Sequence, residues 1–208
     1  MDEQCRAMVA DLRRYKIRDE RVIEAMSRIR RDRYIPKSIR DRVDPYGDHP
    51  CPIGHGQTIS QPFIVAYMTE RMNVQPGMRI LEIGTGSGYQ AAILAELGAV
   101  VYSLEIIPEL ADAARRALSS EGYGRVHLRL GDGYRGWREQ APFDAVIVTC
   151  APADIPGELI RQLRDGGRMI LPLGTTTQQL MILEKTGDRF REIPDIHVRF
   201  VPMVKGLE

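Results

Sequence analysis

The chain has 208 residues, of which 43% are hydrophobic and 27% charged, and its formal net charge is +1. This composition is typical of a soluble globular domain with a sizeable core, and it excludes a disordered chain. No apolar run approaches the roughly 20 residues that a membrane span needs, and residues 1–16 lack the apolar core of a signal peptide. We therefore expect a cytoplasmic protein that makes no membrane contact.

Metal-binding and disulfide patterns are missing from the sequence. The cysteines are Cys5, Cys51 and Cys150, and neither they nor the four scattered histidines show a metal-ligand spacing. We therefore expect no structural metal and no disulfide framework.

Charge is distributed unevenly along the chain. Residues 1–42 carry 13 Lys/Arg and 8 Asp/Glu, a net of +5, whereas the rest carries 16 and 20, a net of −4. A basic segment is compatible with nucleic-acid binding. The interleaving of acids and bases favours a solvated surface instead, so we expect no nucleic-acid partner.

The N-terminal third is predicted to hold two helices and a long loop. Residues 2–16 and 19–31 read as helices, the second with apolar residues at helical spacing. Residues 34–62 contain five prolines and three glycines and predict a long ordered loop, which is usually functional in a compact domain. An amphipathic helix follows from about residue 63.

The remaining chain alternates predicted strands and helices. The strands are expected at residues 79–83, 99–104, 126–130, 143–149, 168–173, 179–185 and 200–204, and the helices at 89–97, 109–120 and 155–163. Asp165-Gly166-Gly167 is expected to close the last helix. Alternation of this kind predicts an α/β, doubly wound Rossmann-like fold with a mostly parallel sheet and an antiparallel C-terminal hairpin. We expect a single domain, with residues 1–62 packed on a core of residues 63–208.

A glycine-rich turn follows the first strand of this core. It reads Leu81-Glu82-Ile83-Gly84-Thr85-Gly86-Ser87-Gly88 and opens the next helix, where doubly wound folds hold a cofactor. The spacing is GxGxG, and the acid Glu82 would repel a pyrophosphate but suit a cationic ligand. These features favour S-adenosylmethionine and disfavour a nicotinamide dinucleotide. Taken alone, the glycines could also form only a tight turn.

Two further signals follow the next two strands. Glu105 ends the second strand, where a carboxylate can accept from both ribose hydroxyls, and Asp132-Gly133 follows the third strand, where Asp132 can accept from an adenine amino group. Either could instead serve as a cap, a surface ion pair or a turn. Three signals at successive strand ends together predict an adenosine site.

The loop before this core is expected to act as a lid. Ser60 lies just before a helix starting near Pro62, so its hydroxyl is predicted to cap that helix. A helix N-terminus with a hydroxyl can also hold a carboxylate. Tyr46, Pro50 and Val201-Pro202 are candidate walls of a peptide site.

The motifs resemble those of the protein-L-isoaspartate O-methyltransferase family. The resemblance covers roughly residues 5–205 and is carried by Pro52-Ile53-Gly54-His55-Gly56-Gln57-Thr58-Ile59-Ser60, by the glycine turn through Tyr89, by Gly131-Asp132-Gly133, by Pro172-Leu173-Gly174 and by Arg199-Phe200-Val201-Pro202. It implies an S-adenosylmethionine-dependent carboxyl methyltransferase fold and activity. The expected substrates are isoaspartyl peptides and age-damaged proteins, and the expected state is a monomer.

The resemblance also implies residue roles. Ser60 matches the active-site serine. The expected cofactor-binding residues include the three glycines of the turn and are Gln57, Thr58, Ile59, Glu82, Gly84, Gly86, Gly88, Glu105, Asp132, Gly133 and Gln178. If the register shifts by one, Gln179 takes the place of Gln178. The chain departs from the family at Phe63, where many relatives have histidine, and at Cys51 and Cys150.

Other functions remain open at this stage. One is a methyltransferase that acts on RNA or a small molecule with the same cofactor turn. Another is a non-catalytic module that binds an adenosine ligand. In the favoured reading, the α-carboxyl group of an isoaspartyl residue has a pKa of about 3.5 and is already ionised, so no general base is required.

Overall fold

A computed structural model describes residues 3–206. The N-terminal part contains α1 (Glu3–Arg14), α2 (Glu20–Arg28), α3 (Lys37–Arg40), β1 (Cys51–Gly54), β2 (Gln57–Ile59) and α4 (Pro62–Met72). The rest contains β3 (Arg79–Ile83), α5 (Tyr89–Glu96), β4 (Val100–Glu105), α6 (Pro108–Ser120), β5 (His127–Leu130), β6 (Phe143–Val148), α7 (Gly157–Gln162), β7 (Leu163–Leu173), β8 (Gln178–Thr186) and β9 (Arg189–Val198).

The central sheet has seven strands in the order β5-β4-β3-β6-β7-β8-β9. The five strands from β5 to β7 are parallel, and β8 and β9 continue the sheet antiparallel. The chain runs outward from β3 to β5 and then returns to place β6 on the other side of β3. This reversal is the point where α/β sheets bind ligands. The predicted fold class is confirmed.

Side chains of β6 point alternately to the two faces of the sheet, and each face packs against its own apolar cluster. Ala145 and Ile147 face one apolar cluster and Val146 and Val148 face the other, and all four side chains are fully buried. A strand covered on both faces is expected to be apolar, and residues 145–148 of β6 are an unbroken apolar run. Helix α5 is also buried on nearly all sides because α2 packs against it from outside the core.

The loop expected at residues 34–62 contains more structure than predicted. It includes α3 and an antiparallel hairpin in which Cys51 pairs with Ile59. The chain reverses through Gly54, His55 and Gly56, which all have positive φ angles. This hairpin brings the residues from Gln57 onward back to the sheet.

Two predictions for the C-terminal region are wrong. Residues 200–204 form only a parallel bridge between Ala151 and Pro202, and the strand lies earlier, at β9. Asp165-Gly166-Gly167 does not close a helix, because β7 already begins at Leu163 and bulges through these residues to regain its register at Arg168. Within residues 3–206, no helix is both long and apolar enough to span a membrane.

Candidate active site

A cleft of about 830 Å³ opens at the carboxyl ends of β3 to β6. It is lined by the segment after β1, by the glycine turn, by the ends of β4 to β6 and by a C-terminal segment: residues 57–60, 65, 83–87, 89–90, 104–107, 131, 133, 149–150 and 201–204. A concave site with polar and apolar lining at this edge of the sheet is typical of a ligand site.

Most of the predicted site residues meet in this cleft. Its lining includes Gln57, Thr58, Ile59, Ser60, Gly84, Gly86, Glu105 and Gly133, and it does not include Glu82, Gly88, Asp132 or Gln178. Of the candidate peptide-site walls, Val201 and Pro202 line it, whereas Tyr46 and Pro50 do not.

The glycine turn leaves no room for side chains near its start. Gly84 has a φ of +93°, and a Cβ there would lie 2.7 Å from Oγ1 of Thr149. Gly86 has a φ of +54°, and its N–H donates to Oε2 of Glu105 at 2.7 Å. The turn therefore exposes backbone to the cleft and connects directly to the end of β4.

Glu105 is held from three sides by backbone donors. In addition to Gly86, the N–H groups of Ile106 and Ile107 donate to Oε1 at 2.9 and 3.0 Å. The side chain is only 5% exposed yet lines the cleft. A carboxylate oxygen accepts more than one hydrogen bond, so this anchored group can still accept from two adjacent hydroxyls. The site thus fits the ribose of an adenosine ligand.

Glu82 lies behind the wall of the cleft. Its side chain is fully buried and accepts a hydrogen bond from the Ser103 hydroxyl, which lies 2.5 Å from Oγ1 of Thr85, a lining residue. Its other oxygen, Oε1, has no hydrogen-bond partner within residues 3–206. Burial, with a smaller contribution from the nearby Glu105, raises the pKa of Glu82 to about 8. Glu82 thus does not line the cleft, and its role toward a cationic ligand stays a prediction.

This burial predicts a pH-dependent stability. As pH rises from about 4.5 to about 8, the unfolded chain releases the Glu82 proton while the folded protein keeps it. The free energy of unfolding should therefore fall in this window, by up to about 1.4 kcal/mol per pH unit. Urea unfolding near both ends of the window should show a smaller loss for Glu82→Gln than for the native protein. The exposed control Glu192→Gln should behave like the native protein, and an unaltered pH slope in Glu82→Gln would refute this explanation.

Asp132 and Gln178 do not line the cleft, and their side chains make hydrogen bonds to the backbone instead. Oδ1 of Asp132 accepts from the Tyr134 N–H at 2.9 Å and caps the short 3-10 helix Gly133–Arg135. Gln178 exchanges two hydrogen bonds with the backbone of Phe200, at 2.6 and 3.0 Å. Gln178 thus anchors the chain just before the lining segment 201–204. Gln179, the other register, donates to the Asp195 carbonyl instead.

Gly88 faces α6 and not the cleft. It precedes α5 with a φ of +87°, and a Cβ there would lie 3.1 Å from Cγ of Leu118. We expect Gly88→Ala to cost about 2 kcal/mol of stability and to change the affinity for S-adenosylhomocysteine less than about twofold, because the residue contributes no lining.

Gly122→Ala is a matched control for this variant. Its φ is +90°, but a Cβ there would meet nothing within 4 Å. Thermal unfolding should therefore show a larger loss for Gly88→Ala than for Gly122→Ala. A large loss of ligand affinity in Gly88→Ala with an unchanged melting temperature would instead give Gly88 a cofactor role.

The hydroxyl of Ser60 does not cap α4. The N-cap position is Gln61, and the Phe63 N–H of the first turn donates to Oδ1 of Asp48 at 2.9 Å. Nε2 of Gln61 donates to the other oxygen of Asp48 at 2.8 Å. Ser60 lines the cleft, and its hydroxyl makes no hydrogen bond to the described part of the chain. The predicted cap is therefore wrong, and an internal carboxylate already occupies the helix N-terminus.

Several lining residues were not predicted from the sequence. Thr149 and Cys150 follow β6, where the position after a buried strand was an available signal. Met203 and Val204 reach the cleft only because the bridge to Ala151 carries them there. No cluster of His, Cys, Asp and Glu within residues 3–206 could hold a metal ion.

Comparisons with known proteins agree with this geometry. Residues 3–208 match the family model for protein-L-isoaspartate(D-aspartate) O-methyltransferase. A protein-L-isoaspartate O-methyltransferase of Gloeobacter violaceus is 50% identical over 196 residues, covering 93% of this chain and 95% of that protein.

Two solved structures share the fold over nearly the whole chain. One, a protein-L-isoaspartate O-methyltransferase, has a TM-score of 0.86 and 27% identity, covering 95% of this chain and 65% of that one. The other is a protein-L-isoaspartate O-methyltransferase of Plasmodium falciparum in complex with S-adenosyl-L-homocysteine, with a TM-score of 0.85, 26% identity, and coverage of 96% and 98%. This chain belongs to the protein-L-isoaspartate(D-aspartate) O-methyltransferase family.

Proposed function

We propose that this protein transfers a methyl group from S-adenosylmethionine to the free α-carboxylate of L-isoaspartyl residues in damaged proteins and peptides. The methyl ester then closes to a succinimide without the enzyme, and hydrolysis of the ring returns some normal aspartate. The observation that carries the proposal is the Ser60 hydroxyl, which accepts and donates no hydrogen bond within residues 3–206 and shares one cleft with the anchored Glu105 and the glycine turn.

The donor set of the cleft fits the cofactor. S-adenosylmethionine supplies a methyl group bonded to a positively charged sulfur. Glu105 would accept from the ribose hydroxyls, and Gly84 and Gly86 would let the ligand approach the backbone. The β1–β2 hairpin is placed to cover it, because the terminal Cδ1 of Ile53 lies within 3.5 Å of a Cβ built at Gly86.

The titratable groups around the cleft support a reaction without a general base. Burial raises the pKa of the Cys150 thiol to about 12 and also raises the pKa of the Tyr89 hydroxyl. Glu105 already accepts three backbone hydrogen bonds. A substrate carboxylate is ionised at neutral pH and needs no deprotonation, so the lining residues need only orient it.

The chain's own contribution is to position the acceptor and exclude water. A hydrogen bond from Ser60 would fix one oxygen of the substrate carboxylate, and the hairpin would keep solvent away from it. In methyl transfer an O–CH₃ bond would form as the CH₃–S bond breaks, and S-adenosylhomocysteine would leave. The carboxylate and sulfonium charges would cancel, so a poorly hydrated site favours the reaction.

Cellular context and assembly form a separate part of the proposal. We infer a monomer that acts in the cytoplasm without nucleic acid. The free thiols of Cys51 and Cys150 suit a reducing compartment. Basic residues of the N-terminal segment are engaged in ion pairs with neighbouring acids, as in Arg13–Glu20 and Arg28–Glu24, which favours a solvated surface. Light scattering and an RNA gel-shift assay test these points.

The fate of the substrate tests the proposed function. An isoaspartyl peptide incubated with the protein and S-adenosylmethionine should disappear, with succinimide and normal aspartyl peptide appearing on the chromatogram. A peptide that stays unchanged, while RNA or a small acid accepts the methyl group, would favour the other acceptor classes.

A further inference from the structure

We propose that Asp48 is a positioning residue for methyl transfer: it caps α4 in the place of Ser60 and so leaves the serine hydroxyl free for the substrate carboxylate. This inference rests on the proposed function of Ser60. It concerns a loop residue that lies outside the cleft lining and acts through α4.

The carboxylate of Asp48 binds the start of α4 with both of its oxygens. Pro62 has no N–H, so the first backbone donor of the helix is that of Phe63, and it donates to Oδ1 of Asp48 at 2.9 Å. Oδ2 accepts from Nε2 of Gln61 at 2.8 Å. Both carboxylate oxygens thus bind the two residues that flank Pro62, directly after Ser60.

Without Asp48, the serine would have a competing use. A serine close before a helix readily accepts a hydrogen bond from a first-turn N–H. Once the Phe63 N–H lost its acceptor, the Ser60 hydroxyl, three residues earlier in the chain, would compete with the Gln61 side-chain oxygen to accept from it. A hydroxyl whose oxygen accepts from the helix keeps its proton to donate, but it is drawn toward α4 and away from its position in the cleft, so it would orient a ligand there less well. Asp48 therefore determines which way the serine is used.

Arg31 holds the loop that carries Asp48 through hydrogen bonds to the loop backbone. This side chain is fully buried, and its guanidinium donates to the carbonyl groups of Pro45 at 2.7 Å and His49 at 3.4 Å, on either side of Asp48. The guanidinium carbon Cζ of Arg31 lies 5.2 Å from the centre of the Tyr89 ring. A buried cation holding two loop carbonyls gives Asp48 a defined position relative to α4.

Kinetics of Asp48→Ala with an isoaspartyl peptide test the proposal. We expect kcat to fall at least ~10-fold with little change in the dissociation constant of S-adenosylhomocysteine. Asp48→Asn should recover most of the activity, because its amide oxygen can accept from Phe63 and asparagine caps helices well. The exposed turn variant Asp188→Ala is the matched control and should match the native protein.

A double-mutant cycle separates positioning from simple destabilisation. If Asp48 acts through the serine, Ser60→Ala should cost little further activity in the Asp48→Ala background. The proposal would be overturned if the activity losses of Asp48→Ala and Ser60→Ala multiplied in the double variant. Native activity in Asp48→Ala, or an Asp48→Asn variant as impaired as Asp48→Ala, would also overturn it.

Gln61→Ala provides a second route if Asp48→Ala folds poorly. This variant removes one of the two partners of the Asp48 carboxylate and should lower kcat less than Asp48→Ala does. The loss should again not multiply with that of Ser60→Ala in the double variant, and a multiplying loss would overturn the proposal. Absence of methyl transfer by the native protein would instead contradict the proposed function and is thereby distinguished from failure of this inference.

Discussion

Ser60→Ala should lower kcat for an isoaspartyl peptide by about 100-fold and leave cofactor affinity nearly intact. The hydroxyl lines the cleft without a hydrogen bond to the described residues, so its removal breaks no internal contact. The carboxylate would lose the donor that fixes one oxygen and would sample many unproductive orientations. Steady-state kinetics and calorimetric titration with S-adenosylhomocysteine measure the two effects.

The control for this variant is Ser38→Ala, which removes an exposed hydroxyl from α3. It should retain native kinetics. Ser60→Thr should recover part of the lost rate, since it restores a donor on a bulkier side chain. If Ser60→Ala loses ligand affinity while its kcat stays native, the assigned role of the serine is wrong.

Glu105→Gln should weaken binding of S-adenosylhomocysteine at least ~100-fold. Two effects add in this variant. Hydrogen bonds to a charged acceptor contribute roughly 1.5–3 kcal/mol each, and the variant weakens those expected to the ribose. Its amide NH₂ group would also face one of the backbone donors from Gly86, Ile106 or Ile107, where only an acceptor fits.

For Glu105→Gln, calorimetry measures the affinity for S-adenosylhomocysteine, and thermal unfolding shows whether the variant is still folded. The exposed Glu109→Gln, at the start of α6, is the matched control and should bind the ligand normally. A Glu105→Gln protein that folds and binds with native affinity would show that the carboxylate does not hold the cofactor.

Much of the sheet was predictable because its signals are local. The apolar run at residues 79–83 coincides with β3, and the continuous burial of residues 145–148 in β6 matches their unbroken apolar sequence. Strand β9 was missed because its sequence carries Arg191, Glu192 and Pro194, typical of a loop or an edge. Its strand character comes from pairing with β8.

The centre of the site was predictable for a related reason. Carboxyl ends of parallel strands meet at one edge, so a glycine turn after β3 and an acid ending β4 had to lie close together. The Gly86–Glu105 hydrogen bond is the direct result. Glu82 differs because alternate residues of a strand point to opposite faces, and burial in the sheet followed from its position within β3.

Residues whose partners are distant in sequence were not predictable. Asp48 reaches Phe63 across 15 positions, and this contact removed the capping role expected of Ser60. Gln178 bonds to Phe200 across 22 positions and anchors the chain just before the lining segment 201–204. Such bonds depend on the folded path of the loops, which carries no short-range sequence pattern.

The most direct test of the central claim is transfer of radiolabelled methyl from S-adenosylmethionine to a pair of peptides. One peptide carries isoaspartate, and its twin carries normal aspartate at the same position. We expect base-labile label on the isoaspartyl peptide alone. Equal label on both peptides, or label on neither while S-adenosylhomocysteine binds to the protein, would contradict the account.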